Sequence, residues 1–456
     1  MAPVFAIIGG GIAGTVQAIH LATRFPWLKI QIYEQRSQIL SSTSSINPGR
    51  PSFGFHYPDL ATAVSCQDNT VKFTKFLESI GCRHIFANAP QHGIYVLVKR
   101  PVSILGETVA PVFGPEKLES VYEQIRRHAI RTYADDDIFA RHFGPPEDIC
   151  KRLQRHEYEH LLTPQLVDSV GACYETRERT FNVASICAFL SSYVRGLHNI
   201  DVITDAHVTH LEKGNQGPAP SFRITWRNSL GREACYSADL LTLACWEHNG
   251  IARAQLGVSA AVPTYNRVKV LAIVDVAVTA KSIKITRPIF IASGPFGMMS
   301  PQGYHRTTNG RFMCRVACTL AIHTNLLTVA DDEPMPLKLQ DLLRGSAGAA
   351  ERHKLAWPIV QGAKQLFSSL ESAELVDVRC GVVRIPFGQK KGIIDLSDPE
   401  SEHHSRTESG CRQIGQGLFI NEAMKLIYSV FNAEKILAWT LAELKASSWS
   451  TAGNSC

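Results

Sequence analysis

Three glycines in the opening stretch "IIGGGIAG", Gly9, Gly11 and Gly14, have the spacing Gly-x-Gly-x-x-Gly. The first glycine permits a tight turn, the second lets a pyrophosphate approach the main chain, and the third lets a helix pack close to its strand. The free N–H groups at the start of that helix then face the phosphates. Glu34 stands 20 residues past Gly14, where a carboxylate accepts hydrogen bonds from ribose hydroxyls and its charge disfavours a 2′-phosphate. This is chemistry for an adenine dinucleotide, FAD or NAD rather than NADP. A second cluster follows in "NPGRPSFGFHYP", residues 47–58. Arg50 offers a planar fork suited to phosphate or carboxylate, and a loop salt bridge is equally open to it. His56 and Tyr57 offer a proton acceptor and hydrogen-bonding groups. A histidine that only holds the turn is the plainer alternative.

These groups need elements to position them. "VFAII" is a short apolar run suited to a buried parallel strand, "TVQAIHLATRF" has helical spacing, and "KIQIYE" ends a second strand in Glu34. Strand, glycine turn, helix, strand and acid make one βαβ unit. Residues 68–80 predict an amphipathic helix. The patterns at 114–130, 147–161 and about 335–373 are helical, and Asn182 caps a helix over 182–197. The last long helix is expected over 422–446. The segment 263–323 is strand-rich. The expected fold class is α/β + β: a Rossmann-like domain interleaved with a β-sheet-rich substrate domain, closed by a C-terminal helix. Its expected parts are 1–85, 166–255 and 373–446 for the nucleotide domain, 86–165 and 256–372 for the substrate domain, and 447–456 for a flexible tail.

Composition removes several classes. The chain has 456 residues, 45% hydrophobic and 19% charged, which is core-forming rather than disordered. A net charge of +6 is a mild excess over this length and, without a long Lys/Arg block, makes nucleic acid a poor default partner; an anionic cofactor or substrate would be enough to use it. Twelve cysteines are scattered without a CxxC pair, so free thiols in a reducing, cytoplasmic setting are expected rather than disulfides or a metal site. The adjacent His403 and His404 do not make a metal site by themselves. No apolar run is long enough to span a bilayer, and a strand beginning by Val4 leaves no room for a signal peptide.

The N-terminal unit followed by "SSTSSINPGR" resembles the glutathione-reductase-type FAD domain of the D-amino-acid oxidase, glycine oxidase and glycerol-3-phosphate dehydrogenase superfamily. Four further pieces fit in chain order: "NIDVITDAHVTHLEK", "ADLLTLACWEHN", "GVVRIPFG" and "GLFINEAMKLIYSVFNAEKILAWTL". The resemblance implies FAD as cofactor, with contacts at Ser42, Thr43 and Arg50, the main chain near Val208, Trp246 and Lys425. Trp246 is equally a core aromatic, and Lys425 an ordinary helix-surface lysine. "GFHYP" and "SGPFGMMSP" resemble a subgroup met in biosynthetic settings, which implies secondary metabolism. Two departures stand out. Ala423 and Met424 precede Lys425 where the family tends to have glycine, and Arg384 is followed by Ile385 instead of proline.

The same resemblance places residues 47–58 beneath the isoalloxazine and the β-rich block across from it. On that footing His56, Tyr57, Tyr304, His305 and Arg384 are the candidate catalytic residues. His56 would accept a proton, bind a substrate heteroatom, or carry the flavin covalently. Arg384 would hold a substrate carboxylate, with a strand-end ion pair as its alternative. Tyr304 and His305 would face the substrate or sit at a hairpin tip. Lys425 would stabilise negative charge at the flavin N1–C2 edge or bind FAD phosphate. A flavin supplies the redox chemistry and the protein supplies binding, orientation and electrostatics. The expected reaction is hydride transfer to flavin N5 from a C–H beside the nitrogen of an amine or amino acid, with O2 or an electron carrier as final acceptor. Oxidation of a hydroxy acid or alcohol, a monooxygenase-type tailoring reaction and a non-enzymatic FAD-binding scaffold are the alternatives. No second GxGxxG unit, no Gly-Asp hydroxylase motif and no Trp-x-Trp-x-Ile-Pro halogenase signature is present.

Overall fold

The apolar run Val4–Ile8 forms β1, buried from its second residue onward, as an interior parallel strand must be. Helix α1 (Ile12–Arg24) and β2 (Lys29–Tyr33) complete the βαβ unit. The computed structural model describes residues 2–446 apart from 89–91, 215–220, 260–263, 280–282, 284–285, 294–295 and 387–409. The expected tail at 447–456, the paired histidines His403 and His404, and the end of "GVVRIPFG" lie outside the described residues.

Helix α2 (Leu60–Ser79) begins eight residues before the predicted start, because Asp59 caps it by accepting a hydrogen bond from Thr62 N at 2.7 Å. The chain then enters a second sheet with β3 (Ile94–Val98). It makes a small hairpin of β4 (Val102–Ile104) and β5 (Glu107–Val109), followed by α3 (Pro115–Tyr133). The helix expected over 147–161 is not formed. That stretch divides into a 3-10 turn, β6 (Cys150–Arg152) and short turns, because Cys150–Arg152 pair with β7 (Val170–Thr176). The helix after Asn182 runs Val183–Arg195, with the Asn182 side chain accepting from Ser185 N.

Next come β8 (Ile200–Ile203), β9 (His207–Lys213), β10 (Phe222–Arg227), β11 (Glu233–Ala238) and β12 (Leu240–Leu243). The β-rich block holds β13 (Thr264–Ala277), β14 (Ile289–Ile291), β15 (Gly297–Arg306), β16 (Phe312–Leu320) and β17 (Asn325–Ala330). Helices Leu337–Arg344 and Ala349–Lys364 follow, separated where Gly345 takes a left-handed turn at φ 75°. The last elements are β18 (Glu374–Pro386), β19 (Cys411–Gly415), β20 (Leu418–Asn421) and the helix Tyr428–Ala446, which packs against α1 and α2.

Two sheets organise the site. The first has the order β19-β20-β12-β1-β2-β8, with β20, β12, β1, β2 and β8 parallel to their neighbours. The second has nine strands, β17-β13-β16-β15-β14-β3-β7-β6, with β18 along β13. The chain passes between them several times, which makes an interleaved α/β + β architecture. β7 belongs to the second sheet, so the return to the first falls after Thr176 rather than at residue 166. β18 also belongs to the second sheet rather than to the nucleotide domain expected from 373 onward.

Candidate active site

The turn between β1 and α1 shows why its glycines are glycines. Gly9 has φ 111°, and a β-carbon there would lie 2.3 Å from the Ala244 carbonyl oxygen. At Gly14 it would lie 2.1 Å from the Gly9 carbonyl oxygen. These two positions are closed by the protein itself. At Gly11 a β-carbon would meet only Ser44 Oγ, at 3.3 Å, so that position is a cradle left open at the N-terminus of α1. Gly11 caps α1 without a side chain, and no acid stands in the first turn. Anionic phosphates suit such an end.

The Glu34 carboxylate accepts from Gly10 N and from Arg36 N, each at 2.9 Å. Burial pushes its pKa up, and the two backbone donors offset this only in part. Asp205 N and Ala206 N donate to the Arg36 and Glu34 carbonyls at 2.9 Å. The start of β9, with Val208 just beyond, therefore lies beside Glu34. Ser42 accepts through its carbonyl from Ser45 N, and Ser44 Oγ accepts from Ile12 N at 2.9 Å, tying the loop after β2 to the glycine turn. These residues fit the adenosine and diphosphate part of FAD.

The loop 47–58 runs on to a cavity of about 680 Å³. Thr43, Arg50, His56, Tyr57 and Lys425 all line it. Arg50 lies over the Phe290 ring, 4.0 Å from its centroid, and 4.7 Å from that of Tyr95. Its Nε donates to Glu178 Oε1 at 2.8 Å. The other Glu178 oxygen accepts from Tyr95 OH at 2.7 Å and from Phe53 N at 2.8 Å. Burial alone would lower the Arg50 pKa, but Tyr95 and Glu178 outweigh it and keep the guanidinium charged. Arg50 Nη2 remains a buried donor with no hydrogen-bond partner among the described residues. Glu178 thus fixes both the charge and the loop. Nothing in the sequence pointed to it, since it stands 128 residues from Arg50.

His56 Nδ1 lies 3.2 Å from Ser52 Oγ, and its ring packs on Tyr57 with centroids 3.8 Å apart. Lys425 Nζ sits 4.9 Å from the centroid of the Tyr57 ring, a cation held over an aromatic face. Met424 lines the cavity beside it.

The floor is a row across the second sheet. Phe290 of β14 pairs with Met298 of β15, which pairs with Thr319 of β16. Leu271 of β13 follows one step beyond the Ala272–Cys318 pair, and it pairs with Arg379 of β18. All five residues line the cavity, together with Arg267 and Lys269 on the same face of β13. Among its described lining residues are five Lys or Arg and no Asp or Glu.

Four expected site residues lie elsewhere. Tyr304 stacks on Phe312 with centroids 5.4 Å apart, and His305 faces Asp275 at 3.1 Å. They share β15 with Met298, but six residues further along, about 20 Å at ~3.3 Å per residue. Arg384 is 1% exposed, and its Nη2 pairs with Asp331 at 2.8 Å and Glu422 at 2.7 Å. Its Nη1 donates to the Trp246 carbonyl and to Asn266 Oδ1. Its fork is taken up by a clasp between the two sheets, so it does not reach the cavity. Trp246 stands behind the lining, where its Nε1 donates to the Val382 carbonyl at 2.9 Å. Among the described residues no group of three or more His, Cys, Asp or Glu is placed to hold a metal, and no cysteine is paired. No helix of the described residues is long and apolar enough to cross a membrane.

Residues 5–317, more than half of the chain, match the family model described as DAO, FAD dependent oxidoreductase. No curated protein matches the chain. The fold is similar to glycine oxidase from Geobacillus kaustophilus, with a TM-score of 0.58 at 14% identity over 97% of this chain and 95% of that one. It is similar to L-amino acid deaminase from Proteus vulgaris, with a TM-score of 0.56 at 14% identity over 97% and 94%. A third similar fold is L-alpha-glycerophosphate oxidase from Mycoplasma pneumoniae with FAD bound, with a TM-score of 0.58 at 12% identity over 96% and 94%. With the open glycine cradle, the carboxylate of Glu34 just after β2 and the family match in agreement, the chain belongs to the DAO family of FAD-dependent oxidoreductases.

Proposed function

We propose that this enzyme oxidises the C–N bond of a small amine or amino acid. The observation that carries the reading is the cavity wall at Arg50. A guanidinium held against Phe290 and Tyr95, charged through Glu178, keeps one buried N–H donor without a partner among the described residues, and Arg50 lines the cavity together with His56 and Tyr57. A carboxylate satisfies such a fork. FAD, when bound, supplies the two-electron acceptor for the hydride that leaves the carbon beside nitrogen. The nitrogen lone pair then closes a C=N bond, which water hydrolyses. The glycine cradle and Glu34 hold the cofactor, with Ser42, Thr43 and the start of β9 near Val208 beside them.

Arg50 orients the substrate through its carboxylate. His56 is the only imidazole or carboxylate in the described lining, and it takes the proton shed by an incoming ammonium. Lys425 places a positive charge at the edge of the cavity, where electron density arrives. Tyr57 carries that lysine on its ring. Dioxygen or an electron carrier takes the electrons onward. The names of two similar folds, glycine oxidase and L-amino acid deaminase, agree with a C–N substrate.

The test is anaerobic. FAD-loaded protein is mixed with amines, amino acids and hydroxy acids while the flavin absorbance is followed. Bleaching by an amine or amino acid is expected. Bleaching by hydroxy acids alone replaces the reading with alcohol oxidation, in which His56 would take a hydroxyl proton. No bleaching by any member would leave a flavin-binding scaffold.

A further inference from the structure

We infer that Ser52 is a positioning residue of the site, held in a strained backbone so that its hydroxyl fixes the imidazole of His56. The inference rests on the reading that His56 takes a proton from the substrate. The loop 47–58 adopts a left-handed backbone at three positions. Two are glycines, Gly49 at φ 73° and Gly54 at φ 88°, and the third is Ser52 at φ 69°. A β-carbon is disfavoured in that conformation, which glycine adopts freely. Anchors on either side impose it on Ser52. The Pro51 carbonyl accepts from Thr70 Oγ1 of α2 at 3.3 Å, and Phe53 N donates to Glu178 Oε2 at 2.8 Å. The Phe53 ring is fully buried, its centroid 4.6 Å from that of Phe143. The main chain at Ser52 is over-determined by its neighbours, which is how such strain persists.

Glycine would serve a plain turn here, as it does twice in the same loop. Ser52 keeps a side chain in spite of the strain, and the structure shows what that side chain touches. Ser52 is buried and lines the cavity, and its Oγ lies 3.2 Å from His56 Nδ1. The His56 ring packs on Tyr57 and meets the Phe290 ring edge-on, with centroids 5.3 Å apart. Ring packing sets the plane of an imidazole. It does not choose between two orientations related by a half-turn about Cβ–Cγ, which leave that plane in place. A hydrogen bond at Nδ1 chooses between them and sets the tautomer. Proton transfer requires the accepting nitrogen within hydrogen-bond reach of the substrate. Losing the Ser52 hydroxyl therefore slows the reaction without weakening substrate binding at Arg50.

FAD-loaded wild type, Ser52→Ala, Ser52→Gly, His56→Gln and the double variant Ser52→Ala/His56→Gln are compared by anaerobic flavin reduction with the substrate that bleaches the wild type most strongly. Ser52→Ala and Ser52→Gly are each expected to lower the limiting reduction rate about tenfold, with the apparent substrate Kd unchanged. Ser52→Gly should melt above Ser52→Ala, since it alone relieves the strain. In the His56→Gln background Ser52→Ala should have no further effect, whereas a purely structural serine slows both backgrounds alike. A second readout needs no turnover. Nitrogen NMR of protein carrying isotope-labelled histidine shows the His56 ring signals, identified by their loss in His56→Gln, and these should shift in Ser52→Ala. A wild-type rate in Ser52→Ala, additive effects in the double variant, or ring signals indifferent to the hydroxyl overturns the inference. If only hydroxy acids bleach the flavin and Ser52 stays coupled to His56 in their oxidation, the inference stands and the C–N reading falls. If amines bleach the flavin and Ser52→Ala changes nothing, the inference falls and the C–N reading stands. If nothing bleaches the flavin, the ring signals decide.

Discussion

Replacing Arg384 by methionine separates two roles that this residue type can have at this place in the chain. The family resemblance implies a carboxylate holder, whereas the geometry shows a clasp buried to 1% exposure between Asp331 and Glu422. Removing the cation from a buried ion pair strands its partners and costs about 3–5 kcal/mol. Arg253 lies 3.6 Å from Asp331 and offsets part of that loss, so the lower end, about 3 kcal/mol, is expected. A chain of this length has an unfolding entropy of roughly 1 kcal/mol/K, so the thermal midpoint should fall by about 3 °C if the chain unfolds as one unit. Adding Glu422→Gln removes one stranded charge and should recover part of the fall. The companion assay compares KM for an amino acid with KM for its ester under anaerobic flavin reduction, and that ratio should stay at the wild-type value. An unchanged midpoint together with a collapsed acid-over-ester preference would refute the clasp and return Arg384 to the substrate.

Other expectations concern the cofactor. Gly11→Ala should leave the fold intact, since the new β-carbon meets only Ser44 Oγ at 3.3 Å, yet weaken FAD affinity at least about tenfold by filling the phosphate cradle. Gly14→Ala should abolish FAD retention and lower expression, because its β-carbon would lie 2.1 Å from a carbonyl oxygen. Glu34→Ala should weaken FAD affinity by about 10- to 100-fold, the loss of a charge-assisted hydrogen bond, as measured by fluorescence titration. Burial raises the Glu34 pKa above its ordinary 4.5. Between 4.5 and the raised value, the folded FAD-free protein holds a proton that the unfolded chain has lost. Stability should therefore fall as pH rises through that window, and Glu34→Gln should lack the fall. A wild-type minus variant midpoint difference that grows with pH would contradict this.

The parts of the site legible in the sequence are those whose logic is local. Gly9, Gly11, Gly14 and Glu34 lie within one βαβ unit, where spacing alone implies geometry. The caps at Asp59 and Asn182 act three residues ahead; Asn182 is legible as a cap, whereas Asp59 is overshadowed by the stronger helical pattern from residue 68 onward. Glu178 was not legible because its partner Arg50 is brought to it only by tertiary packing. Tyr304 and His305 sit on a strand that does form a wall of the cavity, but the position along β15 that faces it is set by register with β14 and β16, which no local pattern gives. Arg384 resembles a family motif position, but its acids Asp331 and Glu422 come from separate elements that only the fold brings to it. The cations of β13 had a signal of their own, since "YNRVKVLAIV" places Arg267 and Lys269 at alternate positions of an otherwise apolar strand. Such alternation reads as a solvated face until the fold shows a cavity there.

The most direct measurement is anaerobic reduction of the FAD-loaded enzyme by a substrate panel, followed at the flavin absorbance, with wild type beside Arg50→Met. The account expects bleaching by an amine or amino acid bearing a carboxylate, with a KM raised at least about tenfold in Arg50→Met and FAD affinity unchanged. Bleaching confined to hydroxy acids, or a KM indifferent to Arg50, would contradict it.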